Sequence, residues 1–138
     1  MLRVAGLSAR YGSIPVLRKV SFHVEAGEIV ALVGSNGAGK STLLRTLSGL
    51  HPLTDGTILF RGRAIQSLSP ATIVRLGLVQ VPEARQLFPN LTVLENLELG
   101  TCTWRKKQSE SFQDDLDRAF QLFPRLKERK DQLGWSLS

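Results

Sequence analysis

One cysteine, Cys102, stands in the whole chain, so no internal disulfide can form and a reducing cytoplasm is the expected compartment. No apolar stretch approaches the roughly 20 residues of a membrane-spanning helix. The opening Met1-Leu2-Arg3-Val4-Ala5-Gly6 lacks the apolar region of a signal peptide. Any link to a membrane is therefore expected to run through a partner. Histidine is scarce as well: His23 and His51 are the only two, and neither has a second ligand at metal-binding spacing. The sequence holds no internal repeat and no low-complexity tract.

The 138 residues, 42% hydrophobic and 22% charged, have the balance of a globular domain and enough chain for a core. A net charge of +6 invites a nucleic-acid reading, but its distribution speaks against one. The excess lies mostly in residues 1–50, and the single basic run, Arg105-Lys106-Lys107, is soon followed by Asp114, Asp115 and Asp117. A solvated surface biased toward polyphosphate fits better, and no nucleic-acid partner is expected.

The richest stretch is Gly34-Ser35-Asn36-Gly37-Ala38-Gly39-Lys40-Ser41, a complete G-x-x-x-x-G-K-[ST] loop. Such a match arises by chance on the order of 10⁻⁴–10⁻⁵ per start position at average composition. It follows the apolar run Glu28–Val33 and precedes a helix-type run from Lys40 to Leu47, the strand–loop–helix setting that the motif requires. Gly34, Gly37 and Gly39 free the backbone to take positive φ and wrap closely around phosphate oxygens. The converging N–H groups and the following helix N-terminus make an anion cradle. Lys40 is expected on the β- and γ-phosphates, Ser41 as a Mg²⁺ ligand, and Thr42 as a further phosphate hydrogen bond. A nucleoside triphosphate is the implied ligand. The loop alone fits kinases, GTPases and many ATPases.

Around the loop, Leu2–Ser8, Val20–Val24 and Thr57–Phe60 read as short antiparallel strands with turns at Tyr11-Gly12-Ser13 and Ala26-Gly27. Glu28–Val33, nearly all apolar, reads as a buried parallel strand, and Leu78-Val79-Gln80-Val81 as a second buried strand. Ser69-Pro70 opens a short helix that Gly77 closes. Thr92-Val93-Leu94-Glu95 is a capping box. Phe112, Leu116, Ala119, Phe120 and Phe123 form one helical stripe until Pro124 interrupts it. The expected organisation is one domain over 1–138, with a nucleotide-binding α/β part at 1–90 and a mainly helical part at 91–138. Cys102 reads as a packing residue, and Trp104 and Trp135 read as core or partner contacts.

Tyr11-Gly12, Val20 through Glu28, the loop filling Ser35-Asn36-Gly37-Ala38, Asp55-Gly56-Thr57-Ile58, Val81-Pro82-Glu83 and Leu87 through Leu97 follow one another as in a known family. The whole stretch resembles the ATP-binding subunit of ATP-binding cassette (ABC) transporters, and the likeness covers essentially the entire chain. Val81-Pro82-Glu83-Ala84-Arg85-Gln86-Leu87-Phe88-Pro89 looks most like the importers of branched-chain and related hydrophobic amino acids, with Ala84 in place of a usual glycine. Leu68-Ser69-Pro70 through Arg75-Leu76-Gly77-Leu78 resembles the same subgroup.

The resemblance implies a P-loop NTPase fold of α/β class: an antiparallel β subdomain, part of a parallel core sheet and a helical subdomain. It implies ATP and Mg²⁺ as ligands, with Tyr11 stacking on adenine; base–aromatic stacking is worth ~1–3 kcal/mol. Glu83 falls at the family's glutamine-loop position, where its carboxylate would be an oxygen ligand for Mg²⁺ near the attacking water. Gln80 reads instead as a structural polar residue in a strand. Implied partners are transmembrane permease subunits, docking near Leu87-Phe88-Pro89 and Leu91, a second ATP-binding subunit and, indirectly, a substrate-binding protein outside the membrane. The implied location is the cytoplasmic face.

Leu137-Ser138 matches the first two residues of the family's L-S-G-G-Q signature, and no apolar run ending in Asp-Glu occurs in these residues. On that reading the 138 residues are C-terminally incomplete and are expected to bind nucleotide weakly, without appreciable hydrolysis. Two alternatives stand beside the importer subunit: a non-hydrolysing nucleotide-binding module, and a soluble ABC-type ATPase acting on nucleic acid or ribosomes.

Overall fold

The computed structural model describes residues 1–83, 86–101 and 109–137. It divides into two compact units, Met1–Gln80 and a second that begins at Val81. Ala84, Arg85, Cys102, Trp104, Arg105-Lys106-Lys107 and Ser138 lie outside the described residues.

The first unit is built on a hairpin. Strands β1 (Leu2–Tyr11) and β2 (Ile14–Val24) run antiparallel, joined by Gly12-Ser13, with Gly12 at φ +56° supplying the positive angle that a two-residue turn needs. Strands β3 (Asp55–Phe60) and β4 (Arg63–Ala64) extend the sheet on the far side of β1, in the order β2-β1-β3-β4. Helix α1 (Lys40–Leu47) buries Leu43 and Leu47 in the same cluster as Val4, Leu7, Ala9, Leu17, Ile58 and Phe60. Helix α2 (Pro70–Arg75) adds Ile73. Its start is as expected: the Ser69 side chain accepts the Thr72 N–H and Pro70 opens the helix.

Both hairpin strands are longer than the sequence suggests, because irregularities break the period-2 pattern. The register between β1 and β2 shifts at Val4/Leu7 and again on either side of Ala9. Gly6, at φ +61°, occupies the first shift, and its N–H donates to Ser21 Oγ at 2.9 Å. The buried residues of β1 therefore run Val4, Leu7, Ala9, a step of three before a step of two.

The parallel part of the expected sheet is not formed. Glu28–Val33 carries no ladder, and Ile29 and Val33 are 98% and 89% exposed. Leu78–Val81 is likewise no strand, and Val79 and Val81 are exposed. A buried parallel strand needs neighbours that take up its N–H and C=O groups, and among the described residues neither run has one. Gln80 does have a structural role: its Oε1 accepts the Ser48 hydroxyl at 2.8 Å.

In the second unit, α3 (Val93–Leu99) starts on the expected capping box. Thr92 Oγ1 accepts the Glu95 N–H at 3.1 Å and Glu95 Oε2 accepts the Thr92 N–H at 2.7 Å. Helix α4 (Ser109–Leu122) buries Leu116 and Phe120, and α5 (Pro124–Glu128) follows. Phe123 does not join the stripe. Pro124 restarts the chain as a new helix with Phe123 as its cap at φ −131°, and that side chain is 59% exposed. The loop before α3 is tied to the end of the unit: Gly134 N–H donates to Leu91 O and Val93 N–H to Gln132 O. Asn96 accepts the Phe88 N–H at 2.9 Å and donates to the Phe88, Leu91 and Thr92 carbonyls.

The hydrogen bonds from the Thr92 backbone and hydroxyl hold the Glu95 carboxyl below its ordinary value of 4.5. The folded form thus prefers the carboxylate more than the unfolded chain does. The cap's contribution is complete above that ordinary value and fades as pH falls through the lower folded one. Hydrogen exchange of the α3 amides, followed from about pH 6 to about pH 3, is expected to show loss of protection on acidification. Glu95→Gln is expected to flatten that pH dependence.

Candidate functional site

The loop and the start of α1 converge on the Lys40 ammonium. Lys40 Nζ donates to Gly34 O at 2.7 Å and to Ser35 O at 2.8 Å, so the side chain folds back across its own loop. The Ala38 N–H donates to Ser35 O at 3.2 Å and closes the turn over Asn36 and Gly37. Gly37 and Gly39 take positive φ, +84° and +93°. Gly34 does not, contrary to expectation. Its reason for lacking a side chain is proximity, since a Cβ there would lie 3.2 Å from Ala38 Cβ.

Gly39 caps α1 and brings no side chain to accept the N–H groups of the first turn, which holds no acidic residue. The first helical bond runs from the Leu43 N–H to Gly39 O at 2.8 Å. An exposed loop of backbone amides, one ammonium and a helix N-terminus is a setting for a polyphosphate. Ser41 is exposed on the first turn. Thr42 is buried with Leu43 on the core side of α1.

The hairpin reaches the loop through β2. A Cβ on Gly39 would lie 2.8 Å from Leu17 Cδ2 and 3.2 Å from Val16 Cγ1. The cradle therefore rests on two β2 side chains that the sequence reading did not single out; extending the hairpin back to Ile14 would have found them. Tyr11, at the end of β1, is 48% exposed and packs on His51, with ring centroids 4.3 Å apart. Glu83 belongs to the second unit, where it is an exposed residue at a bend. Leu87 and Phe88, also of that unit, expose about half of their surface, as does much of Trp135 at 67%.

The ABC transporter family pattern matches residues 17–137. The chain belongs to the ABC transporter family. It is 44% identical over 138 residues to the high-affinity branched-chain amino acid transport ATP-binding protein BraG of Pseudomonas aeruginosa, covering all of this chain and 58% of that protein. It is 39% identical over 127 residues to the probable branched-chain amino acid transport ATP-binding protein LivF of Archaeoglobus fulgidus, covering 92% of this chain and 52% of the other. The chain thus spans a little over half the length of these relatives. A solved ATP-binding subunit of an ABC transporter superposes with a TM-score of 0.84 at 33% identity, covering all of this chain and 56% of that one. The expected α/β class stands: this ABC chain has part of a P-loop NTPase cassette, with its antiparallel sheet formed. Among its described residues no helix is long and apolar enough to cross a membrane.

Proposed function

We propose that this chain is the ATP-binding, energising part of an ABC importer for branched-chain or related hydrophobic amino acids. The observation that carries the reading is the Lys40 ammonium held across the Gly34 and Ser35 carbonyls at the open N-terminus of α1. In the proposed complex the loop amides and Lys40 bind the β- and γ-phosphates, and Thr42, whose side chain is buried on the core side of α1, adds a hydrogen bond from its backbone N–H in the first turn. Tyr11 offers its exposed ring to adenine. Ser41 Oγ is the oxygen donor for Mg²⁺, which would supply charge neutralisation at the transferring phosphoryl group.

Hydrolysis belongs to the assembled transporter. Its other parts are a second ATP-binding subunit, transmembrane permease subunits that dock on the exposed Leu87–Phe88 region at the cytoplasmic face, and a substrate-binding protein that reaches this chain only through them. The amino-acid assignment rests on the two relatives named for branched-chain amino acid transport. Uptake into membrane vesicles bearing the whole transporter tests it: ATP-driven accumulation of labelled leucine supports the assignment. Accumulation of ribose with no leucine uptake would overturn it.

A further inference from the structure

The Tyr11 ring already has an aromatic neighbour. His51 lies against it at 4.3 Å between centroids and 39° between planes, while Tyr11 keeps 48% of its surface open. His51 is itself 9% exposed and is pinned at two points. Its backbone N–H donates to Arg45 O at 3.2 Å, in the turn that ends α1. Its ring Nε2 lies 3.2 Å from Arg10 O. A carbonyl only accepts, so this bond requires the proton on Nε2. The residue opposite Arg10 in the ladder is Pro15, which has no N–H to offer that carbonyl. The imidazole supplies a donor there.

We propose that His51 is a positioning residue for Tyr11: its ring backs one face of the tyrosine and fixes the other as a pre-oriented platform for a purine. The proposal rests on the reading of Tyr11 as the base-stacking residue. It also explains how the two ends of a nucleotide site stay in register. Helix α1 starts at Lys40 and runs eight residues, ~12 Å at 1.5 Å per residue, before the chain turns through Gly49, at φ +72°, to His51. One rigid helix therefore carries the phosphate-binding lysine at its start and the support of the aromatic platform just beyond its end. An aromatic ring held before the ligand arrives has less freedom to lose on binding.

The test is equilibrium binding of ATP and of inorganic tripolyphosphate to the full chain and its variants. His51→Ala is expected to weaken ATP binding about three- to tenfold and to leave tripolyphosphate binding unchanged. His51→Phe, which keeps a ring face without the Nε2 donor, is expected to restore ATP affinity. His51→Gln, which keeps a donor without the ring, is expected to behave as alanine does. In a Tyr11→Ala background, His51→Ala is expected to add nothing. Equal loss of both ligands on His51→Ala, or rescue by Gln and not by Phe, would make His51 a strand-holding residue and overturn the proposal. If His51→Ala does not fold, the Phe and Gln variants decide between the same two outcomes. If Tyr11→Ala leaves ATP affinity unchanged, the base-stacking reading itself fails. If Tyr11→Ala weakens ATP while His51→Ala does not, only the positioning role fails.

Discussion

Lys40→Ala is expected to raise the dissociation constant for ATP about 100-fold or more, from the loss of at least two charge-assisted hydrogen bonds at about 1.5–3 kcal/mol each. The substitution acts twice. It removes the cation that meets the triphosphate, and it cuts the ties from Nζ to Gly34 O and Ser35 O that hold the loop folded over itself. Lys40→Arg is not expected to restore binding, because a planar guanidinium fork cannot replace a compact ammonium between two carbonyls of one turn. Titration calorimetry on the folded variants checks both. ATP binding by Lys40→Ala within a few-fold of the parent would place the nucleotide somewhere other than this loop.

The largest effect on stability is expected at Gly56. Its φ is +102°, and a Cβ there would lie 2.7 Å from Ala5 O and from the carbonyl carbon and oxygen of Gly6. These are backbone atoms of the neighbouring β1 strand, at its bulge, so no side chain can swing aside. Gly56→Ala combines an unfavourable backbone angle with a forced separation of β1 and β3, costing about 3–5 kcal/mol. For the 80-residue first unit this lowers the thermal midpoint by roughly 12–40 °C. A circular-dichroism melt reads it directly. A midpoint that hardly moves would mean that β1 and β3 do not meet as closely as they do here.

What the sequence discloses tracks how local the physics is. The Ser69-Pro70 helix start and the Thr92–Glu95 box are decided by residues within a few positions of one another, and each forms as read; the phosphate loop folds around Lys40, but without the strand before it and with Gly34 outside the positive-φ region. The hairpin was harder, because the shifts around Gly6 and Ala9 erase the alternation that marks a strand. Glu28–Val33 differs from the strand its composition suggests, because an apolar run reports what could be buried and burial depends on partner strands, which this run lacks among the described residues. Phe123 has the spacing of the α4 stripe, but Pro124 ends that helix before it. His51 has no metal-ligand spacing in the sequence to mark it. Its contacts with Arg10 and Tyr11 span some 40 residues, and no spacing rule connects them.

The central claim is that one cradle, from Gly34 to Ser41, takes the phosphates while Tyr11 takes the base. Amide and aromatic NMR spectra of the chain titrated with MgATP, and separately with magnesium tripolyphosphate, address it in one measurement. Both ligands are expected to shift the amides of Gly37, Gly39, Lys40 and Ser41, whereas the Tyr11 ring is expected to respond to ATP alone. Shifts that avoid the loop, or a Tyr11 ring that responds to neither ligand, would contradict the account.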